Sequence, residues 1–171
     1  MRIAILTVSD RAAGGQRQDL SGPALRAKVE ARGWSVSYLA VVPDEQAEIE
    51  RQLISWADGG EIDAILTTGG TGFSPRDRTP EATLAVVNRL APGLAEAMRS
   101  ASLRSTPHAM LSRTVAGIRG STLIINLPGS PTGAVENLEV ILPVLPHAIQ
   151  LLQGDPKAEG GHLPPARRGH A

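Results

Sequence analysis

The stretch Ala64 to Thr83 reads AILTTGGTGFSPRDRTPEAT and combines the signals of a strand, a loop and a helix start. Its first five residues are apolar or β-branched, as in a short buried strand. Pro80 then favours the first turn of a helix. Between them, Thr67 to Gly72 consists of three glycines and three threonines. The stretch therefore predicts a strand–loop–helix unit whose loop binds an anion at the helix start.

The glycine loop, Gly69 to Gly72, fits neither of the common nucleotide-binding motifs. It lacks the Lys-Ser/Thr ending of a P-loop and the three-glycine spacing of a dinucleotide-binding fold. A tight turn that binds no ligand is the alternative interpretation of an isolated glycine pair. The density of glycine and threonine here favours anion binding, with the backbone amides of Gly69 to Gly72 as the donors.

Strand and helix patterns alternate along the rest of the chain. Short apolar runs predict strands at Ile3–Val8 and at residues 34–42, and two strands joined by a turn within residues 112–131. Helical patterns are predicted from an N-cap at Ser21 to Gly33, and at residues 45–57, 80–90, 93–104 and 132–152, the last interrupted by Pro143 and Pro146. This alternation predicts a single three-layer α/β domain, with a mostly parallel sheet, helices on both faces and a late antiparallel hairpin.

Composition limits the domain organisation and the partners. The 171 residues suffice for one domain, which we expect to span residues 1–153, followed by a disordered tail at 154–171 that is rich in Gly, Pro and charge. Lys plus Arg equals Asp plus Glu at 17 each, so no net field favours nucleic acid or an anionic membrane. The chain lacks cysteine, a signal-peptide pattern and an apolar run of about 18 residues, which predicts a cytoplasmic protein without thiolate chemistry.

Two aspartates follow neighbouring strands of the predicted sheet. Asp44 ends the second strand in VVPDE, and Asp77 lies between Arg76 and Arg78 just before a predicted helix. Loops at the carboxyl ends of parallel strands meet at one edge of the sheet, so both carboxylates can enter one crevice. Mg²⁺ binds through one or two carboxylates plus phosphate oxygens, so the pair predicts a metal site. The alternative role of each aspartate is a helix N-cap.

Together these motifs resemble the molybdenum-cofactor biosynthesis domain, specifically the molybdopterin adenylyltransferases, which include the G domain of gephyrin. The resemblance also rests on the opening ILTVSDRAAGG, the turn VVPDE and the closing LSRTVAGIRGSTLIINLPGSPTGAVENLEV. It implies that the chain transfers AMP from ATP to the terminal phosphate of molybdopterin and releases pyrophosphate. It also implies Mg²⁺ as cofactor, ATP as co-substrate, a homotrimer, and hand-over of the product to a molybdenum-insertion protein.

The resemblance assigns roles to individual positions. Asp44 and Asp77 match two functionally important aspartates, expected to be catalytic and to bind the metal. The positions that match substrate-binding residues are Ser9, Thr68, Gly69, Gly70, Thr71, Gly72, Ser112, Pro128 and Gly129. Arg76, Arg78 and Arg113 stay open between anion clamps and solvated surface charges. Two other functions also stay open: a related enzyme on the same fold, and a non-catalytic molybdopterin-binding or scaffolding trimer.

Overall fold

A computed structural model describes residues 1–156 and Ala158. Its strands are β1 (Arg2–Val8), β2 (Ser35–Val42), β3 (Ala64–Thr68), β4 (Arg89–Leu90), β5 (Ala116–Arg119) and β6 (Thr122–Leu127). They form one six-stranded sheet in the order β2-β1-β3-β6-β5-β4. The first four strands in that order are parallel, while β5 pairs antiparallel with β6 and with β4. The predicted parallel sheet with a late hairpin is confirmed.

Helices cover both faces of the sheet. They are α1 (Asp10–Ala13), α2 (Ser21–Glu30), α3 (Gln46–Asp58), α4 (Thr79–Val86), α5 (Pro92–Ser102), α6 (Pro131–Ile141) and α7 (Leu145–Leu152), with a 3-10 turn at Pro107–Leu111. One core lies beneath α2, α5, α6 and α7, and the other beneath α3 and α4. In β1, Ile3 and Ile5 face the first core and Ala4 and Leu6 face the second. This period of two is expected of a strand that is covered on both faces.

Helix α2 begins one residue earlier than predicted, because its cap comes from a different side chain. Ser21 is the first helical residue rather than the N-cap. The Asp19 carboxylate accepts hydrogen bonds from the N–H groups of Ser21 and Gly22, both at 3.0 Å. It thus satisfies two of the donors that a helix start leaves free. Asp19 is therefore the side chain that caps α2.

The helix predicted at residues 80–90 ends earlier in the structure, because its last predicted residues pair with the sheet instead. It stops at Val86, and Arg89–Leu90 form the edge strand β4. The N–H groups of Asn88 and Ala91 donate to carbonyls of the β5 region at 2.7 and 2.8 Å. This pairing joins residues about thirty positions apart in the chain, which a local helical pattern cannot reveal.

The C-terminal helix is interrupted where its prolines predict. Helices α6 and α7 replace the continuous pattern, with a bend of 65° between them. Within the described residues no single helix has the length and apolar composition of a membrane span, which α6 and α7 reach only if counted together. Most of the predicted tail, residue 157 and residues 159–171, lies outside the described residues, so its disorder stays a prediction.

Candidate functional site

The loops after four neighbouring strands meet at one edge of the sheet and line a cavity of about 620 Å³, the first cavity. Its walls include Ser9 and Asp10 after β1, Asp44 after β2, Gly69, Gly70 and Asp77 after β3, and Gly129 after β6. This is the edge where open α/β sheets bind ligands. The structure thus brings both predicted aspartates to one cavity.

A second cavity of about 300 Å³ adjoins the first at Ser130, which lines both. The glycine loop is a wall common to the two, because Gly70 lines the first cavity and Thr71 and Gly72 line the second. The predicted residues Ser112 and Pro128 also line the second cavity, together with Arg99, His108 and Asn137. The last three were not predicted as site residues: Asn137 lies in the closing motif but was assigned no role there, and Arg99 and His108 lie outside the quoted motifs.

Two residues of the loop have to be glycine. Gly69 has φ 101° and Gly70 has φ 61°, in the left-handed region that other residues rarely adopt. A Cβ at Gly69 would overlap the Val8 carbonyl oxygen, and one at Gly70 would lie 2.5 Å from Thr79 Oγ1. The Thr79 hydroxyl in turn donates to the Gly69 carbonyl at 2.8 Å. The loop is therefore packed tightly against β1 and the start of α4.

The donors that this loop offers a ligand differ from the expectation in one position. The Gly69 N–H donates to the Leu127 carbonyl at 3.3 Å, so it already has an acceptor within the protein. No acceptor in residues 1–156 or Ala158 meets the N–H groups of Gly70, Thr71 and Gly72. Buried or ligand-facing amides normally find a partner. Within the described residues these three amides have no protein acceptor, so they are the loop's candidate donors to an anion.

Asp44 is held by the residue that opens α1. The Asp10 N–H donates to Asp44 Oδ2 at 2.7 Å, and the Asp44 N–H donates to Asp10 Oδ1 at 3.0 Å. Asp44 does not cap α3, whose N-cap is Glu45 and has no side-chain cap bond. Burial raises the pKa of the Asp44 carboxyl, and the nearby carboxylates of Asp10 and Asp77 raise this pKa further. Negative charge is therefore crowded on this side of the first cavity.

Asp77 is held within its own loop. Its Oδ2 accepts a hydrogen bond from the Ser74 N–H at 2.9 Å, and its own N–H donates to the Ser74 carbonyl at 2.9 Å. The N-cap position of α4 is Arg78, which makes no side-chain cap bond. Asp77 thus shapes the loop instead of capping the helix.

The two carboxylates fit the requirements of Mg²⁺. Asp44 Oδ1 and Asp77 Oδ1 accept no hydrogen bond from the residues that the structure covers, so each carboxylate keeps one oxygen for a cation. A cation there would also relieve the charge crowding that raises the pKa of Asp44. Among the residues that the structure describes, no group of three His, Asp or Glu side chains could hold a metal ion by itself. Phosphate oxygens and water would have to complete the coordination, as is usual for this ion.

Two of the three arginines that the sequence left open have protein partners. The Arg76 guanidinium donates to both oxygens of Asp10, at 3.0 and 2.9 Å, and to Glu45 at 2.8 Å. The hydrogen bond from Arg76 lowers the pKa of Asp10. Arg113 lines neither cavity and binds the backbone of the glycine loop. Arg78 is exposed. Arg76 thus forms an ion pair with Asp10 at the rim of the first cavity.

Comparison with known proteins relates this site to one family. Residues 4–147 match the family described as "Probable molybdopterin binding domain". The chain is 43% identical over 157 residues to the molybdopterin adenylyltransferase of Helicobacter pylori (strain ATCC 700392 / 26695), covering 91% of this chain and 89% of that relative. The solved structure of the molybdopterin biosynthesis enzyme MoaB from Thermus thermophilus is 55% identical with a TM-score of 0.85, covering 91% and 98% of the two chains.

A longer relative contains the same region. The chain is 44% identical over 176 residues to gephyrin of Dictyostelium discoideum, which covers 97% of this chain. The match takes in 24% of gephyrin, so the chain spans about a quarter of that relative's length.

Proposed function

The chain belongs to the family of probable molybdopterin binding domains, and on that premise we propose that it is a molybdopterin adenylyltransferase of molybdenum cofactor biosynthesis. The reaction would transfer AMP from ATP to the terminal phosphate of molybdopterin. The Helicobacter relative that bears this activity in its name matches nearly end to end, which supports the assignment.

The observation that carries the proposal is the pair of cavities on the two sides of one glycine loop. The larger cavity has Asp44, Asp77 and the free Gly70 amide, which suit a triphosphate with its Mg²⁺. The smaller cavity has Ser112 and the other two free loop amides, which suit the phosphate and pterin of molybdopterin. A common wall would bring the two substrates within reach of one another.

The chemistry asks the protein for positioning and for charge compensation. A molybdopterin phosphate oxygen would attack the α-phosphorus of ATP, the bond from that phosphorus to the β-phosphate bridging oxygen would break, and pyrophosphate would leave. Phosphates are already ionised at neutral pH, so no general base is needed. The obstacle is repulsion between two anions, which fixed amide donors reduce. When bound by Asp44 and Asp77, Mg²⁺ would offset charge on the triphosphate and on the leaving pyrophosphate.

A reconstituted reaction tests the proposal directly. Purified protein incubated with molybdopterin, ATP and Mg²⁺ should form adenylylated molybdopterin and pyrophosphate in equal amounts. Both products should be absent when ATP is replaced by an analogue whose α,β-bridge cannot be cleaved. Binding of molybdopterin without either product would contradict the transferase and leave the non-catalytic scaffold.

We also propose the setting in which the enzyme works. It would be a cytoplasmic homotrimer that hands adenylylated molybdopterin to a molybdenum-insertion protein. The occurrence of this domain inside the longer gephyrin chain supports a close link to further steps.

A further inference from the structure

Arg113 lies in the segment that leads into β5 and contacts the loop after β3 at three points and helix α4 at a fourth. Its Nε donates to the Gly72 carbonyl at 2.7 Å, and its Nη2 donates to the Asp77 carbonyl at 2.8 Å. Its Nη1 pairs with the Glu81 carboxylate on α4. Its backbone N–H donates to the Thr71 carbonyl at 2.9 Å. One side chain therefore holds both ends of the turn between Gly72 and Asp77.

The backbone of this turn has no comparable anchor. Its other hydrogen bonds, as far as the structure describes the chain, join Ser74 to Asp77 and to Arg76 within the turn itself. The Arg76 side chain reaches out of the turn, but that side chain is 53% exposed. Its bidentate pair with Asp10 joins a side chain of the turn to the start of α1 and leaves the backbone of the turn unbound. The Thr79 N–H closes the base of the loop by donating to the Gly70 carbonyl at 3.1 Å. Between Gly72 and Asp77, within the described residues, Arg113 is the side chain that binds the backbone of the turn from outside.

The Arg113 guanidinium is suited to fix that position. Its donors form a rigid planar fork, so binding two carbonyls sets their separation and orientation together. The side chain is 33% exposed, and Glu81 balances its charge. Burial opposes ionisation of Glu81, but the hydrogen bond from Arg113 keeps the pKa of that carboxyl below its usual value. Glu81 is therefore ionised at neutral pH and pairs with the guanidinium.

We propose that Arg113 is a positioning residue that fixes the Gly72 end of the glycine loop, in the wall common to the two cavities, and sets Asp77 in the first cavity. It lines neither cavity, so it acts through the loop and without touching substrate. The expected changes in kcat and KM rest on the proposed transferase function. The structural consequence, a loop that loses order without Arg113, is independent of that function.

Arg113→Ala tests this role, with Arg78→Ala as the matched control, because Arg78 is an exposed arginine at the end of the same turn. We expect kcat for adenylyl transfer to fall about 10²-fold in Arg113→Ala, the scale of a small misplacement of reacting groups, and KM to change less. Low, non-denaturing guanidinium chloride should restore part of kcat, whereas sodium chloride at equal ionic strength should not. Arg78→Ala should retain kcat.

Hydrogen exchange gives a readout that does not depend on activity. Peptides covering residues 69–79 should exchange faster in Arg113→Ala than in the wild type and in Arg78→Ala, while peptides from β1 keep their protection. Arg113→Lys retains the charge opposite Glu81 but not the fork, so it should fold normally and still lose most of kcat.

Full kcat in Arg113→Lys, or unchanged loop exchange in Arg113→Ala, would overturn the positioning role. A wild-type protein that makes no adenylylated molybdopterin would overturn the transferase instead, and the exchange comparison would still decide the role of Arg113.

Discussion

At the scale of single residues, the two cavity aspartates can be neutralised without disturbing their hydrogen bonds. Asp44→Asn and Asp77→Asn each keep an oxygen that accepts the N–H of Asp10 or Ser74. We expect each variant to lose roughly 10²-fold or more in turnover, because a fixed charge opposite the triphosphate is removed. The measurement is pyrophosphate release as a function of Mg²⁺ concentration, with circular dichroism to verify the fold. Unchanged rates in both variants would refute the metal-site assignment.

Neighbouring Asp44 and Asp10 should affect stability with opposite signs in the absence of metal. Burial raises the pKa of Asp44, so its ionised form disfavours the folded state at neutral pH. The hydrogen bond from Arg76 lowers the pKa of Asp10, so its ionised form favours the folded state. We therefore expect Asp44→Asn to raise the thermal midpoint at pH 7 in EDTA, and Asp10→Asn to lower it.

The pH dependence checks the sign of each effect. As the pH falls through the raised pKa of Asp44, the wild-type carboxyl becomes neutral and the advantage of Asp44→Asn should shrink. The stability that Asp10 contributes is lost as the pH falls through its lowered pKa, so the deficit of Asp10→Asn should shrink only at more acidic pH. Shifts of the same direction in both variants at pH 7 would contradict the charge arrangement described for the first cavity.

At the scale of secondary-structure elements, a buried amide on β6 joins three neighbours beneath the glycine loop. Asn126 donates to the hydroxyls of Thr67 on β3 and Thr83 on α4, at 2.9 and 2.8 Å. Its Oδ1 accepts the N–H of Val115 at 3.2 Å. Asn126, Thr67 and Thr83 are all fully buried, so the two hydroxyls that Asn126 releases would lack water as a substitute.

Leucine is similar to asparagine in volume, but Asn126→Leu should destabilise the protein because the hydrogen bonds of Asn126 are lost. It removes the donor to the buried hydroxyls of Thr67 and Thr83, and leaving a buried polar group unsatisfied lowers the free energy of unfolding by about 1–3 kcal/mol. Urea unfolding measures this loss. Asn88→Leu is the control, because Asn88 is exposed and its side chain accepts the Gly120 N–H at the surface. Equal losses in the two variants would contradict the role of the buried network.

The elements that local sequence predicted well are those stabilised by burial along a regular pattern. The apolar run at residues 64–68 matches the bounds of β3, and Ile49, Leu53 and Trp56, which are spaced as on one face of a helix, are buried in α3. Hydrophobic periodicity carries this information because each period reflects one buried face. The same reasoning could not reveal β4, a two-residue strand that exists because β5 pairs with it.

Part of the candidate site also depends on contacts that are distant in the chain. Asp44 and Asp77 were accessible to prediction because each follows a strand, and strand ends converge in a parallel sheet. His108 and Asn137 carry no such signal, since only folding brings them to the second cavity. The anchoring role of Arg113 gave no signal either, because its partners Gly72 and Asp77 lie 41 and 36 residues away.

At the scale of the whole molecule, the assigned groups form a complete set within one protomer. Both aspartates, the three free loop amides and Ser112 line cavities of a single chain. A homotrimer, if it forms as we propose, would then contribute stability without supplying a missing catalytic group. Assembly and catalysis should therefore be separable by dilution.

We predict that sedimentation velocity at micromolar concentration gives three times the protomer mass, and that turnover per protomer stays constant through the dilution range in which the trimer dissociates. Turnover per protomer should stay constant because dilution changes only the fraction of trimer, whereas each site is formed within a single chain. Enzyme assays and mass photometry on the same dilution series provide the comparison, and Arg113→Ala at the highest concentration serves as a trimer of reduced turnover. Turnover that falls in parallel with the trimer fraction would show that a neighbouring protomer completes the site, and would contradict a self-contained pair of cavities.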